Sequence, residues 1–425
     1  MPKFKILDEV TFPPVALLSM FKLKSTTIII FIVVIFCQNA YSFEYNGLGV
    51  SLMNFFNSLS FKYNEFDIKL KGGLISEEFD NNVTYTKRNK TEDYISNMGL
   101  GVGMKYEGKT GTVELTTNIT NQIFAKNNDF NNVTEDVTLQ LKSEFSEQSR
   151  IDFKNTFTHS DAPLFAIFPQ SFFAHPGQLG AVGLEYFQNR INIDYSNDVT
   201  KQLTVATRYA SVVDSFSINE SSGVRLRDSF QNKAGFEADY LFSPDTTFLF
   251  SYDFTNRQFE DKGHATIHAV TSGIRQAITE RLNFNGSTGL DVIDSFGGGD
   301  LIRPVGQASF TYDMDERTSV LLLFVKNYET TTYTENIYNS WRTSVSFTRQ
   351  LSERLNASLL LFYGKDEYIP AEFKIRGMGA SPSFTYDINK NVKGSIRYSY
   401  VQSDSDIETV GYTKSIVFLG LTAEF

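Results

Sequence analysis

SIVFLGLTAEF, residues Ser415 to Phe425, closes the chain and decides how the rest is read. Val417, Leu419, Leu421, Ala423 and Phe425 fall on one side of an extended chain, and Phe418, Gly420, Thr422 and Glu424 on the other. A period of two marks a β-strand with one apolar face. This strand runs onto a large apolar side chain with no polar tail behind it, so hydrocarbon is the expected environment of that face.

The same alternation recurs upstream. In Thr247–Thr255, Phe248, Phe250, Tyr252 and Phe254 alternate with Leu249, Ser251, Asp253 and Thr255. Val392–Gln402 and Leu282–Val292 behave alike, with weaker versions at Val137–Phe145, Ile151–Phe157, Phe236–Phe242 and Thr343–Phe347. Short polar turns separate the segments: FSEQSR at 145–150, FSPDTT at 242–247, ITERL at 278–282, DMDERT at 313–318, LSERL at 351–355 and DINKNV at 387–392. ITERLNFN (278–285) returns as LSERLNAS (351–358), and FTYDMDE (310–316) as FTYDINK (384–390). Each offset is the length of two hairpins, which suggests hairpin duplication. About eighteen segments are expected between 66 and 425, or sixteen if the first and one poorly patterned segment drop out.

The other end carries a different signal. Lys22 and Lys24 precede an apolar run from Ile28 to Phe36, and Ala40-Tyr41-Ser42 follows. That order is a secretory signal peptide, and the run is shorter than the ~18 residues that a spanning helix needs. We therefore expect residues 1–42 to be removed, with Met20 a plausible start, and 43–65 to form a periplasmic segment ahead of a barrel at 66–425. Phe36 stands where a lipobox needs Gly or Ala, so Cys37 is not read as a lipid anchor. Without the four lysines and two acids of 1–42, the 39 basic and 49 acidic residues fall to 35 and 47, a net charge of −12. Such a chain has no sequence-independent grip on nucleic acid, and without cysteine it has neither disulfide nor thiolate chemistry.

Phe (39) and Tyr (21) are abundant in a chain of slightly negative mean hydropathy. A membrane β-barrel explains this, because only alternate residues meet lipid and rings gather at the two interfaces. Lipid tolerates no unpaired backbone group, and only closure removes the edges of a sheet. The expected fold is an all-β, antiparallel, up-and-down transmembrane barrel of about 16–18 strands. A soluble sandwich would alternate too, but it fits the leader and the strand number less well. An even count puts both ends on the periplasmic side, which makes the short turns periplasmic and the long connections external. Phe145, Phe242, Tyr312, Tyr386 and Phe425 would then form the periplasmic aromatic girdle.

Two stretches carry a resemblance. YTKSIVFLGLTAEF (412–425) is similar to the ending of the putative β-barrel porin 2 family, with Lys414 and Ser415 in its basic and Asn positions. LISEEFDNNVTY (74–85) resembles the acidic–aromatic–x–Asp–Asn–Val opening that follows the family's first strand. Glu78, Phe79, Asn82 and Val83 match it, while Asn81 stands where Asp is usual. The resemblance implies an outer-membrane barrel with porin-like transport, in a family whose relatives accompany exopolysaccharide and exosortase systems. It also implies that Tyr412, Val417, Leu419, Leu421 and Phe425 form the signal read by the barrel-assembly machinery.

The polar faces of the clean strands give the candidate pore lining: Asp152, Lys154, Arg208, Glu237, Asp239, Asp253, Asp291, Arg342, Lys393 and Arg397. Inside a barrel of this size such charges can face a water-filled channel and set solute preference. Alternatively they pair with neighbours in a barrel closed by a plug or an inward loop. The apolar stretch DAPLFAIFPQSFFAHPGQ (161–178) is expected to bend inward as a constriction or pack on the rim, or else to be an irregular strand pair. His159, His175, His264 and His268 map to the outer half, and no serine or carboxylate constellation accompanies them, so no enzyme is expected. SFGGGD (295–300) lacks the lysine of a phosphate loop. The expected function is passive passage of small polar solutes; the alternatives are a component for surface-polysaccharide export and a structural or adhesive barrel. No cofactor is expected. The expected partners are outer-membrane lipid and lipopolysaccharide, the assembly machinery, and surface-polysaccharide machinery.

Overall fold

The computed structural model describes residues 61–63, 66–85, 87–160, 185–217, 228–260, 263–295, 301–330, 337–369, 373–407 and 411–424. The leader, the stretch 161–178, His175, residues 296–300 and Phe425 lie outside them. A three-residue strand, β1 (Phe61–Tyr63), pairs with the start of β2 (Phe66–Asp80). The wall continues with β3 (Asp93–Glu107), β4 (Gly111–Phe124), β5 (Asn132–Glu144), β6 (Ser149–Ser160) and β7 (Glu185–Asp198). Next come β8 (Leu203–Ser217), β9 (Ser229–Ser243), β10 (Thr246–Phe259), β11 (His264–Thr279), β12 (Leu282–Ser295) and β13 (Leu301–Asp315). It ends with β14 (Thr318–Thr330), β15 (Ile337–Gln350), β16 (Leu355–Ile369), β17 (Lys374–Asp387), β18 (Val392–Ser405) and β19 (Tyr412–Ala423).

Each strand from β2 onward pairs antiparallel with its successor, and β19 returns to pair with β2, closing an 18-strand barrel. Even strand number is what lets an antiparallel ladder close without a mismatch. At about 4.8 Å between strands and a tilt of about 40°, eighteen strands enclose a cylinder roughly 36 Å across between backbones.

Alternation decides which way each side chain points. Val417, Leu419 (60 % exposed) and Leu421 lie on the outer surface, so Phe418, Gly420 and Thr422 turn to the lumen. Phe248, Phe250 and Tyr252 are exposed on β10, and the girdle residues Phe145 (67 %), Phe242 (64 %), Tyr312 and Tyr386 are exposed at the short-turn end.

One chemical device recurs in those short turns. Ser146, Thr200, Thr279, Ser352 and Asn389 each accept backbone N–H groups two or three residues on, as in Leu282 N to Thr279 Oγ1 at 3.0 Å and Val392 N to Asn389 Oδ1 at 2.9 Å. Such side chains replace a missing backbone partner and tighten the turn. The repeats at 278–285 and 351–358 occupy equivalent turns four strands apart.

In one place the sequence pattern misplaces a boundary. The motif at 74–85 resembles a stretch that follows a first strand, yet Leu74–Asp80 belongs to β2 itself. The pair Glu77-Glu78 imitates a polar turn, but in the strand the two point opposite ways. Glu77 faces outward and accepts from Ser96 Oγ at 2.9 and 2.8 Å, while Glu78 faces inward.

Candidate functional site: the inner wall

All ten candidate lining residues share the face opposite the exposed apolar rows, and the structure joins most of them to partners on the next strand. Asp152 meets Lys142 at 3.6 Å and accepts from Gln140 Nε2 at 3.0 Å. Arg208 lies between Asp194, at 3.9 Å, and Glu237. Asp239 pairs with Arg275 at 3.5 Å and Asp253 with Lys233 at 3.3 Å. These ion pairs form a mixed-sign ladder across β5 to β11. Lys393 pairs with Glu424 at 3.7 Å, Arg397 lies 4.8 Å over the Phe418 ring, and Lys154 projects exposed beside Gln140. The ladder's side chains are largely part exposed, so each pair is worth about 0.2–1 kcal/mol. They are water-facing charges held in place by register, with little role in holding the wall together.

The opposite arc is chemically different. From β14 to β18 the inward positions carry Ser344, Ser346, Ser358, Ser381 and Ser383, interleaved with Leu321, Leu323, Leu360 and Phe362. Hydroxyls bond across strands, Ser358 to Ser383 at 2.7 Å and Ser381 to Ser399 at 2.9 Å. The lumen thus carries the ion ladder on one side and, on the other, hydroxyl and apolar groups with Lys393, Arg397 and the Arg342–Asp366 pair among them.

Toward the long-connection end the inward groups become buried. Asp214 accepts from Arg257 Nη2 at 3.2 Å, Ser229 Oγ at 3.0 Å, Tyr186 Oη at 3.2 Å and Gln188 Nε2 at 2.7 Å. Arg342 faces buried Asp366 at 3.7 Å, and Asp291 is buried beside Arg303 in the ladder. Charges withdrawn from water need hydrogen-bond partners, and the Asp214 carboxylate has them on both oxygens. In the loop at this end, Glu92 accepts from Lys126 Nζ at 2.6 Å, which holds that ammonium above its ordinary pKa.

The two motifs that carry the resemblance meet at the closing seam. Lys414 Nζ lies 2.6 Å from Asp80 Oδ2, both side chains nearly fully buried, and 3.7 Å over the Tyr85 ring. Asn82 Nδ2 donates to the Thr413 carbonyl at 2.8 Å. Asn81 bonds Ser415 twice, its backbone N–H donating at 3.1 Å and its Oδ1 accepting from Ser415 N at 2.8 Å. Tyr85 holds a left-handed φ of 52°, a strain of order 1–3 kcal/mol for a non-glycine residue. Its ring contacts with Lys414 and Tyr412, the latter at 5.1 Å, are what hold that conformation. Asp80, the unspecified position of the opening motif, is therefore the residue that binds the basic position of the ending. Val83 packs in a buried cluster with Ile95, Phe124 and Phe130.

Sequence reasoning missed the partners Lys142, Asp194, Lys233 and Arg275, although alternation places each on a polar face. It also missed Asp214, Asp366 and Asp80, whose burial no local pattern signals. Three histidines face outward: His159 stacks on Phe187 at 4.4 Å, His268 meets Tyr252 Oη at 2.9 Å, and His264 shares the face of His268. Among the described residues no cluster of His, Cys, Asp or Glu could hold a metal ion.

Residues 299–425 match the family described as putative beta-barrel porin 2. No curated protein matches the chain. Among solved structures, the FrpB iron transporter from Neisseria meningitidis (F5-1 variant) aligns with a TM-score of 0.51 at 7 % identity, over 84 % of this chain and 82 % of that one. The copper transporter OprC aligns with a TM-score of 0.51 at 10 % identity, over 83 % of this chain and 63 % of its own. At such identities the likeness is one of barrel fold.

Proposed function

We propose that the chain is an outer-membrane channel through which small polar solutes pass passively. The observation that carries this reading is the part-exposed, mixed-sign ion ladder on the inner wall of a barrel about 36 Å across, because a barrel of 16–18 strands leaves an aqueous lumen. The exposed apolar outer rows and the family match over 299–425 support an outer-membrane location. Charges of both signs around the wall, with a run of hydroxyls on one arc, suit hydrated or uncharged polar solutes better than a single ion type.

Planar-bilayer recording of the refolded chain tests the proposal. Stepwise conductance is expected, and silence at every voltage would remove the channel reading. A second reading, a barrel shut at its outer end, is favoured by the buried tier around Asp214, Arg257 and Asp366. It predicts silence from the intact chain and conductance once Arg257→Gln loosens that tier.

A further inference from the structure

The outer surface of the wall carries a feature that transport does not use. On β14 to β17 the exposed or half-buried row Phe324, Thr343, Tyr363, Met378 runs across four neighbouring strands. Two residues nearer the long-connection end, on the same outward face, the next row reads Lys326, Trp341, Lys365, Arg376. The rows are about 7 Å apart along the strands, and Lys326 to Arg376 spans about 14 Å of wall. Trp341, the single tryptophan of the chain, packs against Tyr363 at 5.3 Å. Lys374 lies on the same face, and Glu367 takes up part of the charge, at 3.3 Å from Lys374 and 3.9 Å from Lys365. No ion pair with a described side chain occupies Lys326 or Arg376, although Asp404 lies beside Arg376 in the ladder. The opposite wall carries the other sign near this end: Glu135 and Glu185 face outward there, around His159.

A basic row directly above an apolar row fits the level where acyl chains give way to headgroups, and aromatic rings favour that same level. Cations there attract anionic headgroups by about 1 kcal/mol each. The long connections mark this end as external, where the leaflet of an outer membrane is phosphorylated glycolipid. An indole flanked by cations suits a phosphorylated sugar, whose C–H face lies on the ring while its phosphates reach the ammonium and guanidinium groups.

We propose that Lys326, Lys365 and Arg376, around Trp341, form a binding site on the outer wall for the phosphorylated sugar headgroup of lipid A. The site needs the chain to span the membrane with its long connections outward. It does not need the lumen to conduct, so a silent bilayer recording leaves it standing.

The test uses the full refolded chain in neutral detergent, titrated with lipid A while Trp341 fluorescence is followed. Saturable binding is expected, with a change in tryptophan emission. The triple variant Lys326→Gln, Lys365→Gln, Arg376→Gln is expected to bind about 100-fold more weakly, about fivefold per cation. Lipid A stripped of its phosphates is expected to lose a similar factor with the unaltered chain. Lys326→Arg with Lys365→Arg keeps the charges and should keep the affinity, and heat-dependent gel migration verifies that each variant is folded. Unchanged affinity in the triple variant would overturn the proposal. So would equal affinity for phosphate-free lipid A, or for phosphatidylglycerol.

Discussion

Lys414→Met is expected to weaken the barrel at its seam. The β19–β2 ladder runs only from Ile416 against Asp80 to Ala423 against Gly73, whereas β18 and β19 pair from Val392–Ala423 to Ser403–Tyr412. Above Ile416 the seam is closed by the backbone bond from Asn81 N–H to the Ser415 carbonyl and by side chains, with Asp80–Lys414 at their centre. At 2.6 Å and an effective dielectric constant of about 20, the gross attraction is about 6 kcal/mol. Desolvation offsets much of it, because the two side chains are 2 % and 5 % exposed. Removing the ammonium alone leaves a buried carboxylate with the Asn82 N–H at 2.9 Å, and such a loss costs about 3–5 kcal/mol. Asp80→Asn together with Lys414→Met removes both charges and should recover most of that cost. Urea unfolding in lipid vesicles, followed by Trp341 emission, measures all four corners of the cycle. Lys105→Met, which breaks an exposed pair with Glu107, should change stability by less than about 1 kcal/mol. A cost below about 1 kcal/mol for Lys414→Met, or simple additivity of the two single variants, would refute the reasoning.

Further predictions concern the wall itself. Leu419→Arg places a cation on the lipid face and should cost about 2–4 kcal/mol, against less than about 1 kcal/mol for the lumen-facing Ser346→Arg, both read by the same unfolding assay. At Gly289 an added Cβ would lie 1.9 Å from the Val270 carbonyl oxygen and 2.7 Å from the Thr271 Cα. Backbone must move to admit it, so Gly289→Ala should cost about 1–3 kcal/mol. Gly73→Ala, whose nearest neighbour is 3.7 Å away, should stay within about 1 kcal/mol in that measurement.

Much of this architecture is legible in the chain because strand geometry is a local matter. The alternation of Val417, Leu419 and Leu421 with Phe418 and Gly420 assigns two faces without any distant contact, and the turn oxygens of Thr279, Ser352 and Asn389 mark where each hairpin ends. Depth within the lumen is a different matter. Asp253 and Arg257 stand four residues apart on one face of β10, yet Asp253 lies in the part-exposed ladder and Arg257 in the buried Asp214 network. Strand tilt and closure set that difference, and neither is written in the period. The Asp80–Lys414 pair is harder still, since it joins opposite ends of the barrel sequence across the seam. A double acid such as Glu77-Glu78 misleads for a related reason: polarity suggests a turn, whereas one carboxylate finds Ser96 outside and the other finds the lumen.

The two faces of β19 decide whether the chain is a membrane barrel, and site-directed spin labelling in liposomes tests them directly. Residues 43–425 contain no cysteine, so single cysteines introduced at 416, 417, 418, 419, 421 and 422 report one position each. Labels at Val417, Leu419 and Leu421 should collide freely with oxygen dissolved in the bilayer. Those at Ile416, Phe418 and Thr422 should respond instead to a water-soluble nickel complex reaching them through the lumen. Equal accessibility at both sets, or the reverse assignment, would contradict a barrel whose alternate residues face hydrocarbon.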